Sequence, residues 1–295
     1  MSICPSSPEP SSWCNSEPTG AHRLYVKIYI MTDIEGVAGV INMLDWCVPE
    51  GRYYETGKEL LTREVNAAIE GFCAAGATEL VVADGHGHGA IHPGLLDPRA
   101  EYMRGWPGGY PYLLDHTYDA VAWVGQHAMS RAEFAHLPHT GSFAKLEYLV
   151  NGVAVGEFGQ LAMCAGELGV CSIFGSGDRA FCFEAQALVP GFETVEVKRG
   201  STPGKGDECD AEAYANHNLA AIHLHPAQAR ARIAAGAKRA LQRFALQRFG
   251  LLSVPPPYEM IKRFRARGGR PPVKIRGTHA ASAIALFNVL PNDPP

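Results

Sequence analysis

Acidic and imidazole side chains recur at the ends of apolar runs in this chain. Asp33 and Glu35 follow Ile28–Tyr29–Ile30–Met31–Thr32, and Gly36 comes directly after them. Read as the carboxyl end of a buried strand, the two carboxylates lie two residues apart and project to one face. Like charges that close repel unless something cationic sits between them, and a divalent metal meets that need. The alternative is a strand end fraying into a polar turn, with Gly36 ending it; Asp-x-Glu by itself does not separate the two. A second run, Glu79–Leu80–Val81–Val82–Ala83, ends in Asp84–Gly85–His86–Gly87–His88–Gly89. A third, Ala120 to Gly125, ends in Gln126–His127, and Glu157 follows Val153–Ala154–Val155–Gly156. Carboxylates and imidazoles in this mixture suit zinc, and a shared carboxylate suits two zincs. Any single histidine is more often a polar loop residue or a satisfied core group than a ligand. Five acid and imidazole groups at strand ends are harder to explain that way.

The elements that position these groups can be read from apolar periodicity. Leu61, Val65, Ala68, Ile69 and Phe72 repeat at helical spacing and predict a helix from about Tyr54 to Ala75, with Gly76 as its C-cap. With the strands on either side it forms a βαβ unit and a parallel strand pair. In open α/β sheets ligands gather at the carboxyl ends of strands, which places the His86 loop beside Asp33 and Glu35. Asn151–Gly152 between Leu146–Val150 and Val153–Val155 predicts a tight hairpin. A helix from Glu157 to about Leu168, a strand over Val170–Phe174, another helix and a strand over Thr194–Lys198 follow. Beyond a Ser/Pro/Gly/Lys-rich stretch from Ser201 to Glu208, a helix from Pro226 to Phe249 begins on proline in its first turn, and Val273–Arg276 reads as one more strand. The fold class expected is therefore α/β: a mostly parallel central sheet flanked by helices, with a β-hairpin and a smaller C-terminal subdomain. Residues 1–22 read as a Ser/Pro-rich disordered tail, 23–200 as the core that carries the site, and 201–295 as the C-terminal helix and strand portion of the same unit.

Composition narrows the function classes. The chain has 295 residues, 46% hydrophobic and 19% charged, enough apolar material for a substantial core. A formal net charge of −4 gives no reason to expect nucleic acid. No apolar run is long enough to cross a bilayer, and the first residues lack the apolar centre of a secretory signal. The 8 cysteines include no Cys-x-x-Cys pair, so reduced thiols and a cytoplasmic setting are expected.

The ordered set Thr32–Asp33–Ile34–Glu35–Gly36, Asp84–Gly85–His86, Gly125–Gln126–His127, His139–Thr140 and Val155–Gly156–Glu157 resembles the D-aminopeptidase (DppA-like) family of di-zinc metallopeptidases. Leu61–Thr62–Arg63–Glu64–Val65–Asn66 and Gly177–Asp178–Arg179 add to the likeness, which covers roughly residues 25 to 200. The resemblance implies that Asp33 bridges two zincs per chain, that Glu35 and His86 complete one site, and that His127 and Glu157 complete the other. It assigns catalysis to His139, as a proton shuttle or a stabiliser of the oxyanion. His136 lacks the following threonine, and His88 and His92 are read as outside the ligand set. The implied activity is a zinc aminopeptidase acting on short peptides, those with a D-residue at the amino end included, and a homo-oligomer is expected. A di-metal phosphoesterase and a non-catalytic metal-binding α/β module are the alternatives. Two departures from the family pattern stand out. The leader of residues 1–22 is additional, and the chain stops at Pro295 where the pattern continues through another strand and helix.

Overall fold

The computed structural model describes residues 25–289; the expected tail over 1–22 lies outside them. The element order is β1 (Lys27–Thr32), α1 (Met43–Trp46), α2 (Tyr54–Ala74), β2 (Glu79–Asp84), β3 (Glu101–Met103), β4 (Ala120–Gln126), β5 (Lys145–Val150), β6 (Val153–Ala154), α3 (Glu157–Glu167), β7 (Cys171–Asp178), α4 (Arg179–Leu188), β8 (Glu193–Gly200), α5 (Ala211–His217), β9 (Ala221–His223), α6 (Pro226–Leu246), β10 (Tyr258–Phe264), β11 (Val273–His279) and α7 (Ala283–Val289). Seven strands form one sheet in the order β3-β2-β1-β4-β7-β8-β9, parallel except for β9. Four form a second, antiparallel sheet in the order β11-β10-β5-β6.

Alternation along the central strands accounts for the layering. Ile28 and Ile30 of β1, with Ala120, Ala122 and Val124 of β4, enter one core, where α2 and α6 pack. Tyr29 and Met31, with Val121 and Trp123, enter the other, under α3, α4 and α7. Successive side chains of a strand point to opposite faces, so a strand covered on both sides must be apolar throughout. The same rule explains why these runs read as continuous rather than alternating.

The hairpin lies where Asn151–Gly152 predicts it, with both residues at positive φ (49° and 81°), as a type I′ turn requires. Its strands do not stay a separate ribbon, because β10 pairs with β5 and extends it to the second sheet. Residues after 200 thus build on earlier ones: β10 and β11 complete that sheet, and α6 packs along α2. Several boundaries differ from expectation. Helix α6 ends at Leu246 rather than Phe249, and β7 runs on to Asp178, past Phe174, because parallel partners β4 and β8 continue beside it. No helix of the described residues is long and apolar enough to cross a membrane.

Candidate metal centre

The carboxyl ends of β1, β2 and β4 lie side by side, as the order β2-β1-β4 requires. Strand β1 stops at Thr32, so Asp33 and Glu35 belong to the loop beyond it and not to the strand. Their shared orientation comes from the way that loop is pinned across β4: Asp33 N–H donates to Val124 O (3.0 Å) and Gly36 N–H to Gly125 O (2.8 Å). Gly36 is needed for that approach, since a Cβ there would sit 2.1 Å from Gln126 O. His86 follows β2, and His127 follows β4. Glu157 arrives differently. It is the first residue of α3, delivered by β6 of the second sheet, so only four of the five groups belong to the central sheet's strand ends. A carboxylate in a helix's first turn is favoured by the positive end of the helix dipole.

All five groups meet around Asp33. Its Oδ1 lies 3.2 Å from His86 Nδ1, which is also 3.3 Å from Glu35 Oε2. Its Oδ2 lies 3.2 Å from His127 Nε2, which is 3.4 Å from Glu157 Oε1. One carboxylate therefore addresses two acid–imidazole pairs, one with each oxygen. His139 stacks on His127, ring centroids 3.9 Å apart and planes 12° apart, with its Nε2 3.9 Å from Glu157 Oε1. His88 is exposed, and Arg179 pairs with Glu196 (2.8 Å). His136 is buried away from the five, its Nε2–H donating to Ile41 O (2.9 Å).

The imidazoles are oriented for cation binding. Each has its other ring nitrogen on a backbone carbonyl: His86 Nε2 on Cys47 O (2.7 Å), His127 Nδ1 on Ala128 O (2.9 Å) and His139 Nδ1 on Leu137 O (2.9 Å). In the neutral form those nitrogens carry the proton, which leaves His86 Nδ1 and His127 Nε2 presenting lone pairs to carboxylates. Lone pairs facing anions repel unless a cation joins them. His127 Nε2 and Glu35 Oε2 are buried without a hydrogen-bond partner, although possible partners stand only 3.2–3.4 Å away. The ligand atoms of Asp33, Glu35 and His127 lie within 4.8 Å of one another, as do those of His127, His139 and Glu157. The donor set is three carboxylates and two or three imidazoles, which fits zinc.

The charges tell the same story. Burial opposes a charge on His86, yet the carboxylates of Glu35 and Asp33 outweigh it and push its pKa up to about 12. His127 is raised well above the imidazole range, with Glu157 and Asp33 overcoming its burial. Burial also opposes ionisation of Glu157, but His127 and His139 bring it down to about 2. His139 goes the other way: burial, then the charge on His127, lowers its pKa and keeps it neutral.

Several supporting residues have no motif of their own. Gln126 donates from Nε2 to Asp33 Oδ2 (3.3 Å). Glu184 of α4 accepts from Met129 N (2.8 Å) and Gly156 N (3.1 Å), tying the segment after His127 to the residue before Glu157. Buried Lys198 donates from Nζ to Glu35 O and to Val40 O (3.2 Å), and Glu64 accepts from Ala38 N (3.0 Å). Burial outweighs the nearby Asp178 carboxylate and lowers Lys198 to about 8. Of these, Gln126 lies within the Gly125–Gln126–His127 motif and Glu64 within the Leu61–Asn66 stretch, whereas Glu184 and Lys198 carry no such signal. A cavity of ≈ 390 Å³ opens from Asp33, His86 and Glu157, walled by Trp106, Tyr110, Tyr112 and Phe287.

Comparison with known proteins converges on one family. The model of the D-aminopeptidase family matches residues 26–269. A D-aminopeptidase of Bacillus subtilis (strain 168) is 30% identical over 178 residues, which is 59% of this chain and 64% of the relative's length. The chain thus spans a little under two thirds of that relative. Among solved structures, one described as the Zn-dependent D-aminopeptidase DppA from Bacillus subtilis, a self-compartmentalizing protease, superposes with a TM-score of 0.74 at 22% identity, over 90% of this chain and 95% of that one. At that identity the likeness speaks for the fold.

Proposed function

The chain belongs to the D-aminopeptidase family, and from that premise we propose that it is a zinc-dependent aminopeptidase that releases the N-terminal residue of short peptides, those beginning with a D-residue among them. The observation that carries this reading is the division of Asp33: Oδ1 toward His86 and Oδ2 toward His127, each 3.2 Å away. A carboxylate placed in this way is suited to bridge two cations, with Glu35 and His86 on one side and His127 and Glu157 on the other. When bound, a zinc pair supplies an activated water and polarises the scissile carbonyl.

The chain's own groups do the rest. Asp33, Glu35 and Glu157 carry the negative charge that would retain the cations. The carbonyls of Cys47 and Ala128 fix the tautomers of His86 and His127, so that the correct nitrogen faces inward. His139, neutral and stacked on His127, presents Nε2 beside Glu157. There it takes the proton of the attacking water and hands it to the leaving amine, a general acid–base role. Gly141 N–H donates to Glu157 Oε1 (2.6 Å) and holds that carboxylate at the cavity edge. Trp106, Tyr110, Tyr112 and Phe287 give the cavity an apolar wall against which a peptide side chain can pack. Assembly into a homo-oligomer is part of the same proposal, by likeness to the self-compartmentalizing relative.

The test is metal analysis of protein purified without chelator, together with a panel of L- and D-aminoacyl amides assayed with added zinc. Two zinc equivalents and release of the N-terminal residue are expected. Absence of stoichiometric metal, or hydrolysis confined to phosphate esters, overturns the reading.

A further inference from the structure

Two cavities meet at the acid–imidazole cluster. The one already described is lined by Asp33, His86 and Glu157. A second, also of ≈ 390 Å³, is lined by His139 and by none of those three. Gly141 lines both. The two sides are in close touch there: His139 Nε2 stands 3.9 Å from Glu157 Oε1, and Gly141 N–H donates to that same oxygen. The cluster thus has open space on two sides, with the His139 imidazole on one and the Asp33 and Glu157 carboxylates on the other. Phe143 packs its ring against His139 in the second cavity, centroids 4.7 Å apart. Met43 of α1, with Ala211 and Ala215 of α5, adds further apolar surface. Ala211 and Ala215 are four residues apart and so share one face of α5, and their small side chains leave the space open. Glu212 and Arg267 also line the cavity, and both are exposed.

The place of His139 indicates which part of a substrate belongs there. In the reaction proposed above it hands a proton to the leaving amine, which requires that nitrogen within hydrogen-bond reach of Nε2. The residue attached to the leaving nitrogen must then occupy space that His139 borders, and that space is the second cavity. The first residue of the peptide lies on the other side, against Asp33, His86 and the aromatic wall. A volume of ≈ 390 Å³ falls within the roughly 300–1,000 Å³ usual for ligand pockets. Burying an apolar side chain against Met43, Phe143 and Ala215 is favourable because it removes that surface from water. We propose that this cavity is the subsite for the second residue of the peptide, and that it selects substrates with an apolar side chain at that position. The inference rests on the aminopeptidase reading above, of which it names the substrate class.

The test uses the full chain with added zinc and two dipeptides that share their first residue and end in leucine or glycine. The leucine peptide is expected to have a kcat/KM about tenfold or more higher, the scale of burying one aliphatic side chain. Met43→Gln makes one wall polar, and Ala215→Gln puts bulk and an amide into the space; each is expected to shrink that ratio. Near-equal kcat/KM for the two peptides in the unmodified protein, or a ratio that survives in both variants, overturns the subsite and leaves the aminopeptidase reading standing. If neither peptide is hydrolysed, the aminopeptidase reading fails, and both peptides serve as plain ligands in calorimetry with the same protein. Tighter binding of the leucine peptide that both variants weaken then keeps the apolar pocket; equal binding of the two peptides overturns the pocket as well.

Discussion

His127 and His139 stack face to face, with 3.9 Å between ring centroids, and both present a ring nitrogen to the same oxygen of Glu157. One of the pair is raised well above the imidazole range, because Glu157 and Asp33 outweigh its burial, and the other is lowered, because burial and the charge on His127 prevail there. Like groups in nearly the same place thus differ in their affinity for a proton.

That difference predicts different outcomes for two substitutions. Asp33→Asn removes the anion shared by both halves of the cluster and is expected to strip most of the zinc. His139→Ala is expected to keep the metal while lowering kcat by roughly 10²–10⁴-fold, the usual contribution of a general acid–base group. Metal analysis alongside kinetics checks both. Equal metal loss in the two variants would make His139 a ligand, which its place among the His127 and Glu157 ligand atoms allows.

Glu184 predicts a one-sided effect. Its two oxygens hold Met129 N and Gly156 N, one behind each of His127 and Glu157, and nothing comparable connects it to His86. Glu184→Ala is expected to weaken one of two zinc equivalents by about 10–100-fold, as loss of an outer-shell partner does, and to spare the other. Gly156→Ala acts on the same clamp from the other side, because its Cβ would meet Glu184 Oε1 at 2.5 Å. Competitive titration with a chromophoric chelator resolves the two equivalents; parallel weakening of both would mean that the halves are not braced separately.

Gly36 predicts the cost of widening the gap between the loop after β1 and the end of β4. The added methyl of Gly36→Ala would stand 2.1 Å from Gln126 O, a backbone atom that cannot rotate away. Overpacking of this kind costs typically about 1–3 kcal/mol. The shift also separates Asp33 from His127, so zinc affinity should fall along with the unfolding midpoint. Unchanged zinc affinity in a folded variant would show that the centre tolerates the displacement.

His136 predicts an acid limb in stability. Burial, with Lys198 and His223 nearby, lowers its pKa to about 2, while Asp178 faces it only by accepting from its backbone N–H (3.1 Å). The unfolded chain takes up this proton as pH falls below about 6.5 and the folded chain does not. Stability from this group is therefore complete above that pH and is lost as pH falls through the window toward 2. His136→Gln should make the slope of unfolding free energy shallower by about 1.4 kcal/mol per pH unit between roughly pH 4 and 6, whatever it does to stability at neutral pH. Urea titrations across that range measure it, and parallel slopes would mean that His136 is already protonated in the fold.

The sequence by itself determined the parallel α/β core and the members of the central cluster. Both depend on short-range patterns: apolar runs such as Ile28–Met31 and Ala120–Val124 must be strands buried on both faces, and the groups that follow them must emerge at one end of the sheet. Asn151–Gly152 was equally local, since two consecutive residues at positive φ need those side chains. Tertiary structure decided what depends on distant partners. Asp33 and Glu35 face the same way because of hydrogen bonds to β4 some ninety residues on, not because of strand alternation. Glu157 comes from a second sheet completed by β10, a strand that carries no distinctive motif. Glu184 and Lys198 look in the sequence like ordinary surface residues. A buried polar group is specified by the partner that satisfies it, and that partner is fixed only when the chain closes around both.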